Sequence, residues 1–463
     1  MSAPDIDDEI IGQFSALAGD AHLTIVLGAG ASAPSGLPQW DDFATRLATS
    51  SGLVATEDVA RVLLNKQDHT IILEAAHALA GERWPQLLGA ALFEHGALPP
   101  LPSPLHLAAA SHLAELPHAT TLATLNFDTL LEEAVLTTGG AVVVGWDGED
   151  EPGVPTVHHL HGVVFPNDAI GPIVGYRDYA ELVSNPDAWQ RRFLSAALHR
   201  GPVLLAGTSY RDPDIRHWLH VILRDEALSH TAMVTIVREG LGLDRDTFEA
   251  IKQALAAEWE AIGLTALTMQ DLTDVALVIR ELQFVGTPGY QSPRDRARRT
   301  WTTHDKAFRA LQHGYAQSLA RDAARIAATL KVGAHRATLW LADGDGKLAR
   351  WATDGHEYAT VQHLKRVPTG HDSFWIAGEA IAAEEVKLKD VDRQPGVSPT
   401  WRSVLAIPIF VGDGRLPDIA TAVVTFGLDE GASRLLDQDD DWSSLVEQLS
   451  TEWGARINAV SFA

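Results

Sequence analysis

The first half of the chain alternates short apolar runs with longer stretches of helical periodicity. Helical patterns such as "DTLLEEAVL" and "DIRHWLHVILRDEAL" separate the apolar runs. Continuous apolar strands separated by helices are typical of a parallel sheet covered on both faces. We therefore predict an α/β, Rossmann-like domain over residues 1–285, with an inserted helical layer from Asn65 to Leu116. The predicted strands are "HLTIVLG" (22–28), "TTLATLN" (120–126), "AVVVGW" (141–146), "TVHHLHG" (156–162), "PVLLAG" (202–207) and "AMVTIV" (232–237).

The pattern changes after "GTPGYQSPRDR" (286–296), a Gly- and Pro-bearing stretch typical of a linker, which we assign to residues 286–302. A long helical pattern then runs from Thr303 to Leu330. Four strand-like runs with short turns follow, which indicates an antiparallel sheet. They are "HRATLWLAD", "GKLARWATDG", "RSVLAIPIFVGDG" and "IATAVVTFGL". With the acidic amphipathic helix that closes the chain, they predict an α+β domain over residues 303–463.

The composition limits the classes of function. The chain has 463 residues, 46% of them hydrophobic, which suits two or three packed domains. Its net charge of −25 disfavours direct nucleic-acid binding, because an acidic surface repels phosphates. It has no cysteine, which excludes disulfides, thiolate catalysis and cysteine-ligated zinc. No apolar run approaches the ~20 residues of a membrane span, and "MSAPDIDDEI" is no signal peptide. We therefore expect a cytoplasmic protein without a membrane partner.

Small or polar residues follow four predicted strands at their carboxyl ends, where open α/β sheets bind ligands. The first ending fits the G-x-G-x-x-[GA] pattern of a phosphate-binding turn. Pro34 disfavours a continuous helix after it, so we expect the helix to start near Asp41. No acidic residue follows a second strand ~20 positions on, as a dehydrogenase would require. The four endings are Gly28-Ala29-Gly30-Ala31-Ser32, Asn126-Phe127-Asp128, His161-Gly162 and Gly207-Thr208-Ser209 with Asp212.

Each ending also has a simpler structural interpretation. A glycine-rich turn can join a strand to a helix without a ligand, and Asn126 or Asp128 can serve as a helix N-cap. His158 and His159 fit structural histidines of a buried strand. A metal site at His159 and His161 lacks a third ligand at a diagnostic spacing, so we expect no metal. The agreement of four strand ends favours one binding site.

Four motifs resemble those of the sirtuin family (the silent information regulator superfamily), in the same order. They are "GAGASAPSGLPQW", "TLNFD", "HLHG" and "GTSYRDPDI", between Leu23 and Ile215. In that family the segment corresponding to Ser35–Pro38 is a cofactor-binding loop, which accounts for Pro34. Two features differ: deacylating sirtuins carry a four-cysteine zinc module, and their "PDFR"-type continuation is "PQWD" here. The "GTSYRDPDI" form resembles the sirtuin-like domains of bacterial anti-phage defence proteins, such as the Thoeris effector, which hydrolyse NAD.

The resemblance implies a sirtuin-like site with NAD as its substrate. Asn126 would hold the ribose and the attacking water, Asp128 would orient the nicotinamide carboxamide, and His161 would act as general base. Gly28, Ala29, Gly30 and Ser32 would contact the pyrophosphate, and the 207–209 segment the adenosine side. Trp40 suits either the nicotinamide end or the core. The residues expected to bind NAD are Gly28, Ala29, Gly30, Ser32, Ser35, Pro38, Trp40, Asn126, Asp128, His161, Gly207, Thr208, Ser209 and Asp212.

The second domain resembles a GAF domain more loosely, through its leading helix, the four strand-like runs and "AGEAIAAEEVKLKDV". Such domains have a PAS-like antiparallel sheet, and they bind small ligands or pair through their end helices. We therefore expect an NAD-consuming effector of the anti-phage type, a homo-oligomer whose GAF-like domain receives a small-molecule or protein trigger. The alternatives are an NAD-dependent deacylase or ADP-ribosyltransferase, a non-catalytic NAD or ADP-ribose sensor, and an interaction protein.

Overall fold

The computed structural model describes residues 8–14, 22–93, 100–208, 213–225, 230–391, 401–436 and 441–462. The chain divides into two compact units. The first unit is Ala16–Leu282, and the second is Gln283–Ala463 together with the N-terminal segment that contains helix α1 (Asp8–Phe14). None of the helices in the described ranges combines the length and apolar character needed to span a bilayer.

Nine strands form the framework of the first unit: β1 Leu23–Leu27, β2 Thr120–Thr124, β3 Val143–Gly145, β4 Thr156–His159, β5 Val163–Phe165, β6 Asp168–Ile170, β7 Val203–Ala206, β8 Ala232–Val237 and β9 Thr265–Met269. Seven of them make a parallel sheet of order β3-β4-β2-β1-β7-β8-β9, and β5 and β6 pair as a separate hairpin. The predicted Rossmann-like parallel sheet is confirmed. The sequence pattern did not indicate β9, because this edge strand is partly exposed and lacks a continuous apolar run.

Helices cover both faces of this sheet. Val26 and Leu205 are buried on one face against Trp218 and the other core residues of α10, α11 and α12. Ile25 and Leu27 point to the opposite face, because side chains alternate along a strand, and they are fully buried too. The helices are α2 Ala29–Ser32, α3 Trp40–Ser50, α4 Glu57–Leu64, α5 His69–Ala80, α6 Trp84–Phe93, α7 Pro104–Glu115, α8 Leu130–Thr137, α9 Tyr176–Ser184, α10 Trp189–Arg200, α11 Pro213–Asp225, α12 Arg245–Glu260 and α13 Leu272–Glu281.

A separate helical module stands beside the sheet. Helices α3 to α6 share one apolar core, which also includes Phe127 after β2 and Val164 of the β5–β6 hairpin. Within the described residues, the predicted helical layer over Asn65–Leu116 is confirmed as helical, but its boundaries differ. The module already begins with α3, whereas α7 contacts β2, α8 and α13 and therefore belongs to the layer that covers the sheet.

The second unit contains a six-stranded antiparallel sheet of order β12-β11-β10-β15-β14-β13. Its strands are β10 Ala334–Ala342, β11 Lys347–Thr353, β12 Arg366–Pro368, β13 Lys387–Asp390, β14 Ser403–Val411 and β15 Ile419–Leu428. The four predicted strands and the antiparallel sheet are confirmed. The sequence pattern did not indicate β12 and β13, because both are short edge strands with exposed positions. The helices are α14 Pro293–Lys306, α15 Phe308–Leu330, α16 Ile376–Ala383, α17 Ala432–Leu436 and α18 Asp441–Ser461.

Much of the predicted linker is helical. The helix α14 begins at Pro293, and the Ser292 side chain caps its N-terminus by accepting a hydrogen bond from a backbone N–H. Ala297 and Thr300 are buried, so this segment is packed and does not behave as a free linker. The helical pattern predicted from Thr303 to Leu330 is divided between α14 and α15, which are separated at residue 307.

Side chains fill both faces of the antiparallel sheet. On one face, α15 and α18 pack over a large core in which Trp351 is fully buried. The rings of Trp301, His304 and Phe308 meet the Trp351 ring edge-on, at centroid distances of 5.2, 5.8 and 5.0 Å. On the other face, Trp340 and the alanines of α16 form a second cluster.

The Trp351 cluster predicts the stability of the second unit. Trp351→Ala leaves a large cavity, so we expect the free energy of unfolding of this unit to fall by ~3–5 kcal/mol. Phe374→Ala is the control, because Phe374 is 58% exposed, and it should cost less than ~0.5 kcal/mol. Urea unfolding of the full chain, followed by tryptophan fluorescence, measures both. Equal losses in the two variants would contradict the burial argument.

Candidate functional site

The turn after β1 packs directly on the end of β7. The Gly28 N–H donates to Ala206 O at 2.9 Å, and the Gly30 N–H donates to Gly207 O at 2.8 Å. A Cβ atom on Gly28 would lie 2.6 Å from the Thr208 Cα, so no larger residue fits there. These two N–H groups are therefore occupied within the protein, in contrast to the expected donation from both to a pyrophosphate.

The segment around Pro34 is a tight double turn. One turn of α-helix, α2, leads into a 3-10 turn over Ala33–Ser35, and Gly36 closes that turn with φ +84°. Pro34 is tolerated in the first turn of this short helix, because the N–H that proline lacks would have no helical partner there. The sequence had indicated a loop without a helix here, and the expected start of the next helix near Asp41 is confirmed, since α3 begins at Trp40.

The Ser32 side chain joins the β1 turn to the end of β2. The Asn126 Nδ2 group donates to Ser32 Oγ at 2.8 Å and to Gly28 O at 3.0 Å. The Ser32 hydroxyl in turn hydrogen-bonds the Asp128 carboxyl group. Both hydrogens of the Asn126 amide are therefore used inside the protein. No hydrogen bond within the described residues engages Asn126 Oδ1, which leaves this atom as the acceptor available to a ligand.

A neutral histidine, His106, hydrogen-bonds the Ser32 side chain. Burial lowers the pKa of His106 to about 4, so the ring is uncharged near neutral pH. The Ser103 N–H donates to His106 Nδ1 at 3.1 Å, which places the ring proton on Nε2. Nε2 lies 3.4 Å from Ser32 Oγ and donates to it. His106 on α7 therefore helps to orient Ser32, a role that no motif in the sequence had indicated.

A second histidine, His159, faces a hydrogen-bond acceptor with each ring nitrogen and lies beside the Asn126 backbone. His159 Nδ1 is 3.0 Å from Asn126 O, and His159 Nε2 is 2.7 Å from Glu132 Oε1. Burial acts to lower the pKa of His159, but the hydrogen bond and charge of Glu132 outweigh it, so the pKa is raised. The interpretation of His159 as a structural histidine is confirmed, and neither ring nitrogen remains for a metal.

Asp128 combines a capping role with an unusual environment. Its Oδ1 accepts a hydrogen bond from the Leu130 N–H at 3.1 Å, at the start of α8. Burial raises the pKa of Asp128, although the hydrogen bonds from Ser32 and Leu130 oppose the shift. The N-cap residue of α8 is Thr129, so the interpretation of Asn126 or Asp128 as the N-cap is wrong, and Asp128 supports the helix start from the preceding position. Its carboxyl group also lines a cavity.

A cavity of about 120 Å³ lies at the ends of β2 and β4. Ser32, Asn126, Asp128 and His161 supply its polar groups. The helical module and the end of β2 supply its apolar wall, which includes Phe43, Leu92 and Phe127. We call it the small cavity; it combines a narrow apolar space with a few convergent polar groups, as ligand sites do.

A second cavity of about 490 Å³ adjoins the small one, and we call it the large cavity. Gly30, Gly207, Thr208 and Glu239 contribute to its lining. The hydroxyl of Thr208 is buried without a hydrogen-bond partner in the described part of the chain, so it can serve a ligand. Ala29 and Trp40 line both cavities, so an extended molecule with two ends can contact both.

The structure brings together most of the residues that the sequence predicted. Gly28 and Ser35 line neither cavity in the described ranges, and Ser209 and Asp212 lie outside the described residues. Sequence reasoning missed Glu239, although it follows the "AMVTIV" strand and the strand-end rule would have found it. The predicted residues that line the small cavity are Ala29, Ser32, Pro38, Trp40, Asn126, Asp128 and His161, and those that line the large cavity are Ala29, Gly30, Trp40, Gly207 and Thr208.

The parallel sheet with two cavities at its strand ends has the architecture in which α/β proteins bind ligands. The SIR2-like domain family matches residues 120–267, from the start of β2 into β9. This range contains Asn126, Asp128 and His161, whereas the β1 turn lies before it. No curated protein matches the chain. Residues 120–267 are therefore similar to a SIR2-like domain, and this similarity suggests an NAD-related activity.

The neutral state of His106 predicts a pH-dependent stability. Its folded pKa of about 4 lies below the unfolded value of ~6.5, so the unfolded chain binds a proton first as the pH falls. The free energy of unfolding of the first unit should therefore drop, with His106 contributing ~2 kcal/mol between pH 7 and pH 5. His106→Asn should flatten this dependence in urea unfolding, and the exposed His118→Asn should not. An identical pH dependence of the unfolding free energy in H106N and the wild type would refute this prediction.

The Glu132–His159 pair predicts a large effect of removing the carboxylate. Glu132→Ala leaves a buried imidazolium without its partner and should cost ~3–5 kcal/mol of unfolding free energy near pH 6. Because the folded pKa of His159 is raised, the loss should shrink as the pH rises through that pKa. Glu133→Ala is the matched control, since the neighbouring carboxylate is exposed. A loss that grows with pH would contradict this assignment.

Proposed function

We propose that the first unit hydrolyses NAD+ to nicotinamide and ADP-ribose. One observation carries the proposal. The side-chain oxygen Oδ1 of Asn126, the Asp128 carboxyl group and His161 converge on the small cavity. This cavity adjoins a larger one in which the rest of a dinucleotide can lie. The SIR2-like domain match supports NAD as the molecule concerned.

The small cavity suits the nicotinamide end of NAD. Its apolar wall accepts a flat ring, while the Asp128 carboxyl group offers hydrogen bonds to a carboxamide. The raised pKa of Asp128 favours a carboxyl group that can donate as well as accept. In the large cavity, the unpartnered Thr208 hydroxyl and the Glu239 carboxylate suit the hydroxyl groups of the adenosine ribose.

The chemistry requires few groups. The bond between ribose C1′ and the pyridinium nitrogen breaks, and its electron pair leaves with nicotinamide, which departs neutral. No general acid is needed for this leaving group, in contrast to ordinary glycosides. Water forms the new C1′–O bond and loses a proton, which His161 accepts and passes to solvent. Asn126 Oδ1 orients that water or a ribose hydroxyl, and the net products are nicotinamide, ADP-ribose and a proton.

We further propose that this activity serves bacterial anti-phage defence in a homo-oligomer, and that a trigger acts on a GAF-like second unit. Both faces of its sheet are filled, so a small-molecule trigger needs another site. The second unit has a cavity of about 810 Å³ lined by Arg299, Arg415 and Phe462. The Arg299 guanidinium lies 4.5 Å from the centre of the Phe462 ring. Two guanidinium groups beside an aromatic ring would suit an anionic ligand, although the Asp413 carboxylate of the same lining offsets part of their charge.

Substitutions at the small cavity test the reaction. Asn126→Ala removes the acceptor of the site and should lower nicotinamide release at least ~100-fold. His161→Ala removes the proposed base, and a loss of ~10²–10⁴-fold is expected. Nicotinamide and ADP-ribose are quantified by chromatography after incubating the full chain with NAD+. The exposed Asn65→Ala and His118→Ala are the controls and should keep full activity.

The outcomes separate the candidate functions. Release of nicotinamide only in the presence of an acyl-lysine peptide would favour a deacylase. Recovery of unchanged NAD+ from a tight complex would favour a sensor. Near-normal turnover by N126A and H161A would refute the assignment of the site.

A further inference from the structure

The mouth of the small cavity differs from its floor. Asn126, Asp128 and His161 are buried, and His161 is only 3% exposed. Tyr179 on α9 and Thr70 on α5 also line the cavity and are half-buried, as are Pro38 and Trp40, so these side chains reach solvent beside it. Among them, the Tyr179 ring stands against the His161 ring.

The Tyr179 ring is held in a defined position. It stands edge-on to the His161 ring, with 5.9 Å between the ring centroids and 73° between the planes. The Asp178 side chain caps the first turn of α9. The Arg177 N–H donates to Glu74 of α5 at 3.1 Å, which ties this turn to the helical module. The first turn of α9 is therefore anchored on both sides, and Tyr179 follows directly from it.

We propose that Tyr179 determines which acceptor attacks the ribosyl group: its ring narrows the opening beside His161, so that water reacts and larger nucleophiles are excluded. The inference rests on the proposed NAD+ hydrolysis. Tyr179 acts here by steric exclusion, and its phenol group takes no part in the chemistry.

The size of the cavity supports this role. The cavity is small, with a volume of about 120 Å³. A bound aromatic ring would take up part of this space and reduce the room beside His161, where the Tyr179 ring stands. On this proposal, an alkyl chain such as a lysine side chain would reach the ribosyl carbon only if the Tyr179 ring moved. The same geometry disfavours the deacylase alternative, since an acyl-lysine has to reach the same ribosyl carbon.

Competition between water and alcohols measures acceptor size directly. An alcohol oxygen forms the C1′–O bond in place of water, nicotinamide leaves with the bonding electrons, and the alcohol proton passes through His161 to solvent. The product is then an O-alkyl ADP-ribose. The full chain is incubated with NAD+ in methanol, ethanol or 1-propanol, and the ratio of alkyl ADP-ribose to ADP-ribose is determined by chromatography. Because both products come from the same active molecules, this ratio does not depend on the folded fraction of a variant.

The wild type should form little alkyl product, with a steep fall from methanol to 1-propanol. Tyr179→Ala should raise the 1-propanol ratio about tenfold, whereas Tyr179→Phe keeps the ring and should match the wild type. Tyr176→Ala is the matched control, because Tyr176 lies on the same helix, is 54% exposed and does not line the cavity. An unchanged ratio in Y179A, or an equal change in Y179F or Y176A, overturns this inference alone. Absence of nicotinamide release from the wild type overturns it together with the proposed function.

Discussion

The side-chain amide of Asn126 is the contact on which the site depends. Its two hydrogen bonds, to Gly28 O and Ser32 Oγ, link the end of β2 to the turn after β1. Both bonds are buried, so they act in a medium of low effective dielectric constant, where an amide left without partners is costly. They also fix the orientation of the amide. The nitrogen is committed to the protein, and the oxygen is the part of Asn126 that a ligand can use.

The pKa values of two histidines near this contact are shifted in opposite directions, and the physical cause differs between them. Among the described residues, His106 has no carboxylate partner, and burial keeps it neutral. His159 is as deeply buried, yet Glu132 at 2.7 Å stabilises the imidazolium. The neutral ring donates one hydrogen bond to Ser32, whereas the charged ring donates two and holds the Asn126 carbonyl. Each charge state thus supplies the number of donors that its position requires.

The two cavities share a boundary formed by Ala29 and Trp40. The tight packing of Gly28 and Gly30 on the end of β7 brings this boundary close to the strand ends. A glycine-rich turn after a first strand is usually explained by the close approach of a phosphate. In this chain the same residues are required for packing of backbone on backbone, whether or not a ligand is bound. The motif is therefore informative about the fold first and about the ligand second.

Several features of the protein were accessible from the sequence alone. Apolar periodicity is a local property, so it predicted the strands β1, β2, β4, β7 and β8, and the strand-end rule then brought Asn126, Asp128 and His161 to one edge of the sheet. The strand β9 was not predicted, because it is a partly exposed edge strand and has little apolar periodicity. The roles of His106 and Tyr179 were not predicted either, since their approach to Ser32 and His161 depends on how α7 and α9 pack.

The sequence by itself determined the elements of this protein, their order, and which strand ends carry polar side chains. Only the tertiary structure decided which side-chain amide hydrogens are bonded within the protein, in which direction the pKa of each buried histidine shifts, and which side chains line the small cavity. The physical reason is that strand and helix patterns arise between residues a few positions apart. Hydrogen bonds, burial and pKa shifts at the site arise between residues such as Ser32 and Asn126, which are distant along the chain and meet only when the sheet has formed.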